Sequence, residues 1–233
     1  MRNYILLSTI VLLFILCFGC TNYEKEVKAA TVSARKEASD IGIAIMAKGG
    51  NAFDAMIAMD LALSVCYPNA GNLAGGGFFV YRKSNGDKGS LDYREKASEN
   101  AQKNMFLDNE GNIIPDKSTL GGLAVGVPGT VAGLFEIYKK MASLPWETLV
   151  QPAIDLAEKG FVVTKKQENS LNSKRDDFIK INGKETFYGN VFKAGDTIKN
   201  HEIASTLKII QKEGKNGFYE GEIAKLIVDK VKK

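Results

Sequence analysis

The sequence predicts an α+β fold in which helices precede and follow a short β-hairpin. Apolar residues recur at the helical period near residues 34–48 and again beyond residue 130. Between them, two β-like runs flank an Asn-Gly pair at Asn85 and Gly86, which is a strong hairpin signal. The chain has 233 residues, 45% hydrophobic and 25% charged, which suits one domain of ordinary size with a packed core.

Residues 1–20 are predicted to be an export signal rather than part of the fold. Arg2 precedes the uncharged run "ILLSTIVLLFILCF", which is shorter than the roughly 20 residues of a membrane-spanning helix. Gly19 and Cys20 then resemble the end of a bacterial lipoprotein signal, in which the cysteine is lipidated, although Cys17 stands where leucine is usual. The alternative is an uncleaved anchor helix.

This interpretation divides the chain into a signal (1–20), a polar tether (21–30) and a folded domain (31–233). The protein is expected to be exported, either periplasmic or attached to the cell membrane or outer membrane through lipidated Cys20. The membrane is therefore a predicted partner of the chain through this lipid anchor.

Two helices are predicted at the start of the domain. The first, over residues 34–48, carries an apolar stripe and ends at a glycine pair, as helices often do. Asn51 is a good N-cap for the second helix, which is apolar nearly all round and should be buried on most faces. Asp54 and Asp60 are its polar exceptions, and Asp54 falls in the first turn, where the helix dipole favours a carboxylate.

The glycine loop (residues 69–77, "NAGNLAGGG") connects that helix to the hairpin. Its three consecutive glycines allow either a tight turn or the close approach of another backbone or a ligand beneath an active site. Both interpretations remain open from the residues. No GxGxxG or GxxxxGK[ST] pattern occurs here, so the loop does not predict a nucleotide site.

The later part of the chain predicts more helices after an irregular stretch at residues 104–118. Pro152 is predicted to break the second of these helices or to begin a new first turn within it. The predicted helices cover residues 130–141, 145–160, 168–181, 201–214 and 219–233.

Composition excludes several function classes. The net charge of +4 is mild and partly local to the C-terminal lysines, so nucleic-acid binding is not expected. His201 is the only histidine and Cys66 the only cysteine after residue 20, which leaves no internal disulfide and no zinc site. No metal or other cofactor is predicted. No G-x-S-x-G elbow is present. The candidate hydroxyl nucleophiles have no special sequence context; they are Ser33, Ser39, Ser64, Thr130 and Thr164.

Arg94, in "LDYREKA", is the residue most suited to binding a ligand. An arginine at a strand end can hold a carboxylate through two parallel N–H···O bonds. The alternative is a surface ion pair with Asp92 or Glu95, worth about 0–1 kcal/mol. By themselves, the residues predict an exported α+β domain and leave an anionic ligand as one option.

The blocks "IGIAIMAKGGNAFDAMIA", "YPNAGNLAGGGFFVYR" and "LDYREKA" resemble the γ-glutamyltranspeptidase (glutathione hydrolase) family. Further blocks continue in the family's order, including "GLAVGVPGTVAGLFEIYKK" and "NGFYEGEIAKLIV", over about residues 31–230. Two departures are Ala74, where a fourth glycine is usual, and Ser98, where proline is common.

The resemblance implies an N-terminal-nucleophile hydrolase fold, a four-layer αββα sandwich. The family's precursor cuts itself before a threonine, which becomes the nucleophile with its own α-amino group as base. The γ-glutamyl group of glutathione or another small γ-glutamyl compound then passes to water or to an amino acid or peptide. The arginine of the family's "D-[FY]-R-E" motif binds the glutamyl α-carboxylate, a role that falls on Arg94 in "DYRE".

In the family, the nucleophilic threonine and the oxyanion-hole glycines lie beyond "FYEGEIAKLIV". The resemblance therefore implies that residues 1–233 hold no catalytic residue and only part of the sandwich. It also implies that they are inactive without the remaining C-terminal part and small subunit as partner. Two alternatives stay open: a non-catalytic exported lipoprotein that binds an amino-acid carboxylate, and an acylase of the same fold.

Overall fold

The computed structural model describes residues 29–232. The predicted signal with Cys20, and most of the tether, lie outside these described residues, so export and lipidation stay predictions. From Thr31 onward the chain forms one folded unit. None of the helices described between residues 29 and 232 has the length and hydrophobicity that a membrane crossing needs.

Helices dominate the folded unit, and two small antiparallel sheets complete it. The helices are α1 (Lys36–Ala47), α2 (Ala52–Cys66), α3 (Thr130–Met141), α4 (Trp146–Lys159), α5 (Lys165–Ser173), α6 (Arg175–Asn182), α7 (His201–Glu213), α8 (Asn216–Tyr219) and α9 (Gly221–Val231). The strands are β1 (Phe78–Arg82), β2 (Lys88–Asp92), β3 (Phe161–Val162) and β4 (Thr197–Ile198); β1 pairs with β2, and β3 with β4.

Helix α2 is the centre of the core, as its nearly uniform apolar character predicts. It packs against α1, α3 and α4, and Ile57, Leu61 and Cys66 are almost fully buried. The predicted N-cap at Asn51 is confirmed, because its side chain accepts hydrogen bonds from the Phe53 and Asp54 amides. This cap fixes where the central helix begins.

The hairpin buries one face only. Phe79 and Tyr81 face the core and meet Phe53 edge-on, with ring centroids 6.0 and 5.8 Å apart. On the opposite face, Phe78 and Val80 are 67% and 79% exposed. Strand alternation explains the difference, since successive side chains point to opposite faces. The outer face of this sheet is therefore uncovered within residues 29–232.

The predicted break at Pro152 is wrong. Helix α4 runs without interruption through this proline from Trp146 to Lys159. Proline removes one backbone hydrogen bond, but Leu149, Val150 and Ile154 around it are all buried. The free energy gained by packing this apolar face outweighs the cost of the backbone hydrogen bond that proline removes.

The helix predicted over residues 168–181 is two helices, α5 and α6, separated at Lys174. The first begins earlier than predicted because Thr164 and Gln167 form a reciprocal capping box. The second carries no fully buried residue, so little packing opposes the interruption.

Candidate functional site

The Arg94 segment (residues 93–95) continues directly from β2. The Tyr93 amide donates to the Gly77 carbonyl at 3.0 Å, which extends the hairpin pairing by one residue. Just beyond the segment, Lys96 and Val127 exchange backbone hydrogen bonds of 3.1 and 2.7 Å. The Arg94 amide donates to the Asp92 carboxylate at 3.0 Å. The backbone that carries Arg94 is thus held on both sides.

Glycines surround this backbone at distances that no larger residue would permit. A Cβ at Gly76 would lie 2.6 Å from the Tyr93 carbonyl oxygen and 2.7 Å from Arg94 Cα. A Cβ at Gly129 would lie 2.9 Å from the Arg94 carbonyl oxygen and closer still to that of Tyr93. The glycine loop therefore allows another backbone to approach closely, and that backbone is the Arg94 segment. Ala74, where the family usually has glycine, is exposed.

The Arg94 side chain is 59% exposed. Its Nε lies 3.0 Å from a Glu95 carboxylate oxygen, and the guanidinium carbon lies 5.7 Å from the Phe78 ring centroid. The predicted surface ion pair thus exists, with Glu95 rather than Asp92. No described residue forms a hydrogen bond with the two terminal guanidinium nitrogens, so this edge of Arg94 is open to a planar anion.

Helix α2 places a further carboxyl group, that of Asp60, near Tyr93. Burial raises the pKa of Asp60 to about 6. Burial, and then the charge of Asp60, raise the pKa of the Tyr93 phenol to about 12. Tyr93 is thus neutral at physiological pH, and its ring, which lies against Gly77 and Gly133, brings no charge to the site.

The other candidate residues have structural roles. Cys66 is buried, and burial raises the pKa of its thiol to about 11, which makes it a poor nucleophile. His201 is exposed at the start of α7, as predicted. Residues 29–232 contain no cluster of three or more histidine, cysteine, aspartate or glutamate side chains suited to a metal.

Each candidate nucleophile is engaged in local or structural hydrogen bonds. The Ser64 hydroxyl donates to the Leu61 carbonyl at 2.6 Å, and Thr164 caps α5. Ser33 and Ser39 hydroxyls lie 2.8 Å from each other. The Thr130 hydroxyl donates to Asn72 Oδ1 at 2.8 Å. None of these hydroxyls has a histidine or amine hydrogen-bonded to it among the described residues.

Asn72 is a residue that the sequence did not single out. Its Oδ1 accepts hydrogen bonds from the Gly75 amide (2.6 Å) and the Thr130 hydroxyl (2.8 Å). The Gly75 carbonyl accepts from the amides of Gly129 (2.7 Å) and Thr130 (3.0 Å). These bonds join the glycine loop to the start of α3. An asparagine within a glycine-rich stretch is too common in turns to reveal this role.

Comparisons with known proteins place this geometry in a family. A family model described as Gamma-glutamyltranspeptidase matches residues 38–233. The "Glutathione hydrolase proenzyme" of Pseudomonas sp. (strain A14) is 42% identical over 205 residues, or 86% of this chain and 36% of that protein. The chain spans about a third of the length of the curated relatives it matches.

Solved structures agree with the sequence matches. The crystal structure of Helicobacter pylori gamma-glutamyltranspeptidase superposes with a TM-score of 0.84 at 40% identity, covering 88% of this chain and 60% of that one. A cephalosporin acylase from Bacillus halodurans gives a TM-score of 0.70 at 26% identity, covering 82% of this chain and 37% of that one.

The predicted fold class is confirmed, because the mixed helices and strands correspond to part of the αββα sandwich that these neighbours share. The match covers the glycine loop, the hairpin, Arg94 and the start of α3. The chain belongs to the γ-glutamyltranspeptidase family.

Proposed function

We propose that this chain supplies the carboxylate-binding part of an enzyme that cleaves γ-glutamyl bonds, in glutathione and related small compounds. One observation carries the proposal. Arg94 presents an open guanidinium edge from a backbone that is hydrogen-bonded on both sides and closely contacted by Gly76 and Gly129. The relatives' names, glutathione hydrolase and γ-glutamyltranspeptidase, support the reaction class.

In this proposal Arg94 binds the α-carboxylate of the γ-glutamyl group through two parallel N–H···O bonds. The Phe78 ring beside the guanidinium favours the cation and limits its motion. Because the supporting backbone is held before substrate arrives, little ordering is needed on binding. The γ-carbonyl, which three carbon atoms separate from the bound carboxylate, is thereby placed for attack.

The nucleophile in this proposal is a threonine from the part of the family's enzyme that lies outside the third matched by this chain. It forms a γ-glutamyl-enzyme ester with release of the leaving amine, and water or an acceptor amine then takes the γ-glutamyl group. The word proenzyme in the relatives' names supports an N-terminal nucleophile made by cleavage. The uncovered faces of Phe78 and Val80 offer an apolar surface for that second part.

We expect the Arg94→Lys substitution to raise KM for a γ-glutamyl donor about 10- to 100-fold, because lysine keeps the charge but loses the two-bond fork. The measurement is steady-state hydrolysis of γ-glutamyl-p-nitroanilide by the assembled enzyme that contains this chain. Arg82→Lys is the matched control, since Arg82 is an exposed arginine on the same hairpin. An unchanged KM for Arg94→Lys would remove Arg94 from the site.

We expect the purified 233-residue chain to release no p-nitroaniline from γ-glutamyl-p-nitroanilide and to remain uncut on a denaturing gel. The reason is that none of the five candidate nucleophile hydroxyls has a histidine or amine hydrogen-bonded to it among residues 29–232. An assembled γ-glutamyltranspeptidase serves as the positive control. Turnover by the purified chain above the no-enzyme rate would contradict the proposal.

A second candidate function is acylase activity, which the structural likeness to the cephalosporin acylase favours. The two candidates differ at the head group, because a glutaryl side chain lacks the α-amino group of a γ-glutamyl donor. Comparing γ-glutamyl and glutaryl p-nitroanilides in the assembled enzyme separates them.

A further inference from the structure

We propose that the Asn72–Thr130 hydrogen bond positions Arg94 for carboxylate binding. Neither residue belongs to the Arg94 segment, and neither is proposed to touch substrate. The inference rests on the proposed function, because these two residues are proposed to align the Arg94 guanidinium with the substrate carboxylate. They act as positioning residues through the glycines that contact the Arg94 backbone.

The Asn72–Thr130 hydrogen bond is specific, and its donor is a buried residue. Thr130 is only 3% exposed and lies at the first residue of α3. Its hydroxyl donates to Asn72 Oδ1 at 2.8 Å, across 58 residues of sequence. The same oxygen accepts the Gly75 amide at 2.6 Å, and the Asn72 side-chain amide donates to the Ala70 carbonyl at 3.0 Å. The side chain of Asn72 is thereby fixed at both ends.

The Asn72–Thr130 hydrogen bond joins the glycine loop to the start of α3, and both of these contact the Arg94 segment. Gly76, in the glycine loop, lies against the backbone of Tyr93 and Arg94. Gly129, directly before Thr130, lies against the carbonyl oxygens of the same two residues. The Gly75 carbonyl bonds to the Gly129 and Thr130 amides, so loop and helix start are joined by backbone as well.

The contacts of Gly76 and Gly129 with the Arg94 segment are too close for the glycine loop and α3 to move independently of that segment. The Gly76 and Gly129 contacts leave no room for even one methyl group. A shift of α3 against the loop therefore moves the Arg94 backbone rather than closing a gap. Two-bond binding of a carboxylate depends on such alignment, and tolerances at binding sites are about 0.5 Å and 10–20°.

A second support keeps α3 in place when the link is removed. The Tyr219 hydroxyl donates to the Pro128 carbonyl at 2.9 Å and accepts from the Ala132 amide at 3.3 Å. Loss of the Thr130 hydroxyl is thus expected to loosen the alignment of the Arg94 segment without unfolding α3. This separates a positioning role from a purely structural one.

The test uses Thr130→Val, which keeps the branched shape and removes only the hydroxyl. In the assembled enzyme we expect KM for γ-glutamyl-p-nitroanilide to rise about tenfold while kcat changes about twofold or less, since misalignment affects carboxylate binding first. Thr130→Ser restores the hydroxyl and should restore KM. Asn72→Ala, at a half-exposed position, removes the acceptor instead and should act as Thr130→Val does, even if the valine variant folds poorly.

Thr206→Val is the matched control, because Thr206 donates a hydroxyl hydrogen bond within the exposed side of α7. A parallel measurement on the 233-residue chain itself is hydrogen exchange at the Tyr93 and Lys96 amides, which flank Arg94. We expect Thr130→Val to speed exchange there about tenfold or more, and Thr206→Val to leave it unchanged, because local opening governs exchange.

The outcomes separate this inference from the proposed function. If Arg94→Lys raises KM but Thr130→Val and Asn72→Ala do not, the positioning role is overturned and the proposed function stands. If Arg94→Lys leaves KM unchanged, the proposed role of Arg94 fails. The inference that the Asn72–Thr130 bond serves carboxylate binding then fails as well. Where Arg94→Lys does raise KM, unchanged amide exchange at Tyr93 and Lys96 in Thr130→Val overturns the inference, and faster exchange supports it. A fall in melting temperature with unchanged KM shows a structural role only and also overturns it.

Discussion

Replacing Asp54 with asparagine is expected to lower the free energy of unfolding by about 3 to 4 kcal/mol, because several buried donors lose a charged acceptor at once. Asp54 is 0% exposed. One carboxylate oxygen accepts from the Asn51 amide at 2.7 Å and from the Ser143 hydroxyl at 2.5 Å. The other accepts from the Ser143 and Leu144 amides at 3.0 and 3.2 Å.

An asparagine at this position has the right shape but only one acceptor oxygen. Its NH2 group would face N–H and O–H donors in either orientation, so at least one side of the network would lose its partner. The network joins the start of α2 to the turn between α3 and α4. Its loss therefore weakens the packing of three helices.

Urea unfolding of the purified chain, followed by circular dichroism, measures the effect. Asp176→Asn is the matched control, because Asp176 also lies in a helical first turn but is 96% exposed. That substitution removes a helix-dipole interaction worth about 0.3 to 1 kcal/mol and a surface ion pair with Arg175 worth about 0 to 1 kcal/mol. Equal losses for the two variants would show that the buried network contributes nothing beyond the dipole.

The local elements of this fold were accessible from sequence because their signals are local. Asn51 caps α2 through atoms two and three residues away, and the Asn85–Gly86 turn joins β1 to β2 within the hairpin. Helix α3 has the predicted bounds, Thr130 to Met141. In each case the deciding hydrogen bonds lie within a few residues of the signal that predicts them.

Features that depend on distant partners were not accessible. The sequence places Asp54 in a helical first turn, but its partners Ser143 and Leu144 are 89 and 90 residues away. Pro152 was expected to break α4 because its local cost is visible in sequence, while the buried face that outweighs this cost is not. Tertiary packing decided both cases.

The candidate site shows the same limit. Arg94 drew attention through its motif, yet the residues alone left two interpretations of the glycine loop. The choice between them needed the distances from Gly76 and Gly129 to the Arg94 segment. Asn72 and Thr130 are separated by 58 residues, and no local pattern connects them.

Replacing Gly129 with alanine is expected to destabilise the chain by about 3 kcal/mol or more, at the upper end of overpacking effects. The Gly129 backbone angles (φ −118°, ψ −23°) are open to alanine, so the cost is steric rather than conformational. The added methyl would press on carbonyl oxygens of Tyr93 and Arg94. Backbone atoms held by strand pairing cannot turn aside as a flexible side chain can.

Gly183→Ala is the control, because Gly183 has a φ of +85° and nothing within 4 Å of an added Cβ. It reports the cost of an unfavourable backbone conformation alone, about 1 to 3 kcal/mol, because φ +85° and ψ 167° fall in a region that is essentially limited to glycine. Urea unfolding of both variants gives the comparison. A smaller loss of unfolding free energy for Gly129→Ala than for Gly183→Ala would mean that the Arg94 segment can move away from α3. The contacts proposed to position Arg94 would then be too flexible to align it with a carboxylate.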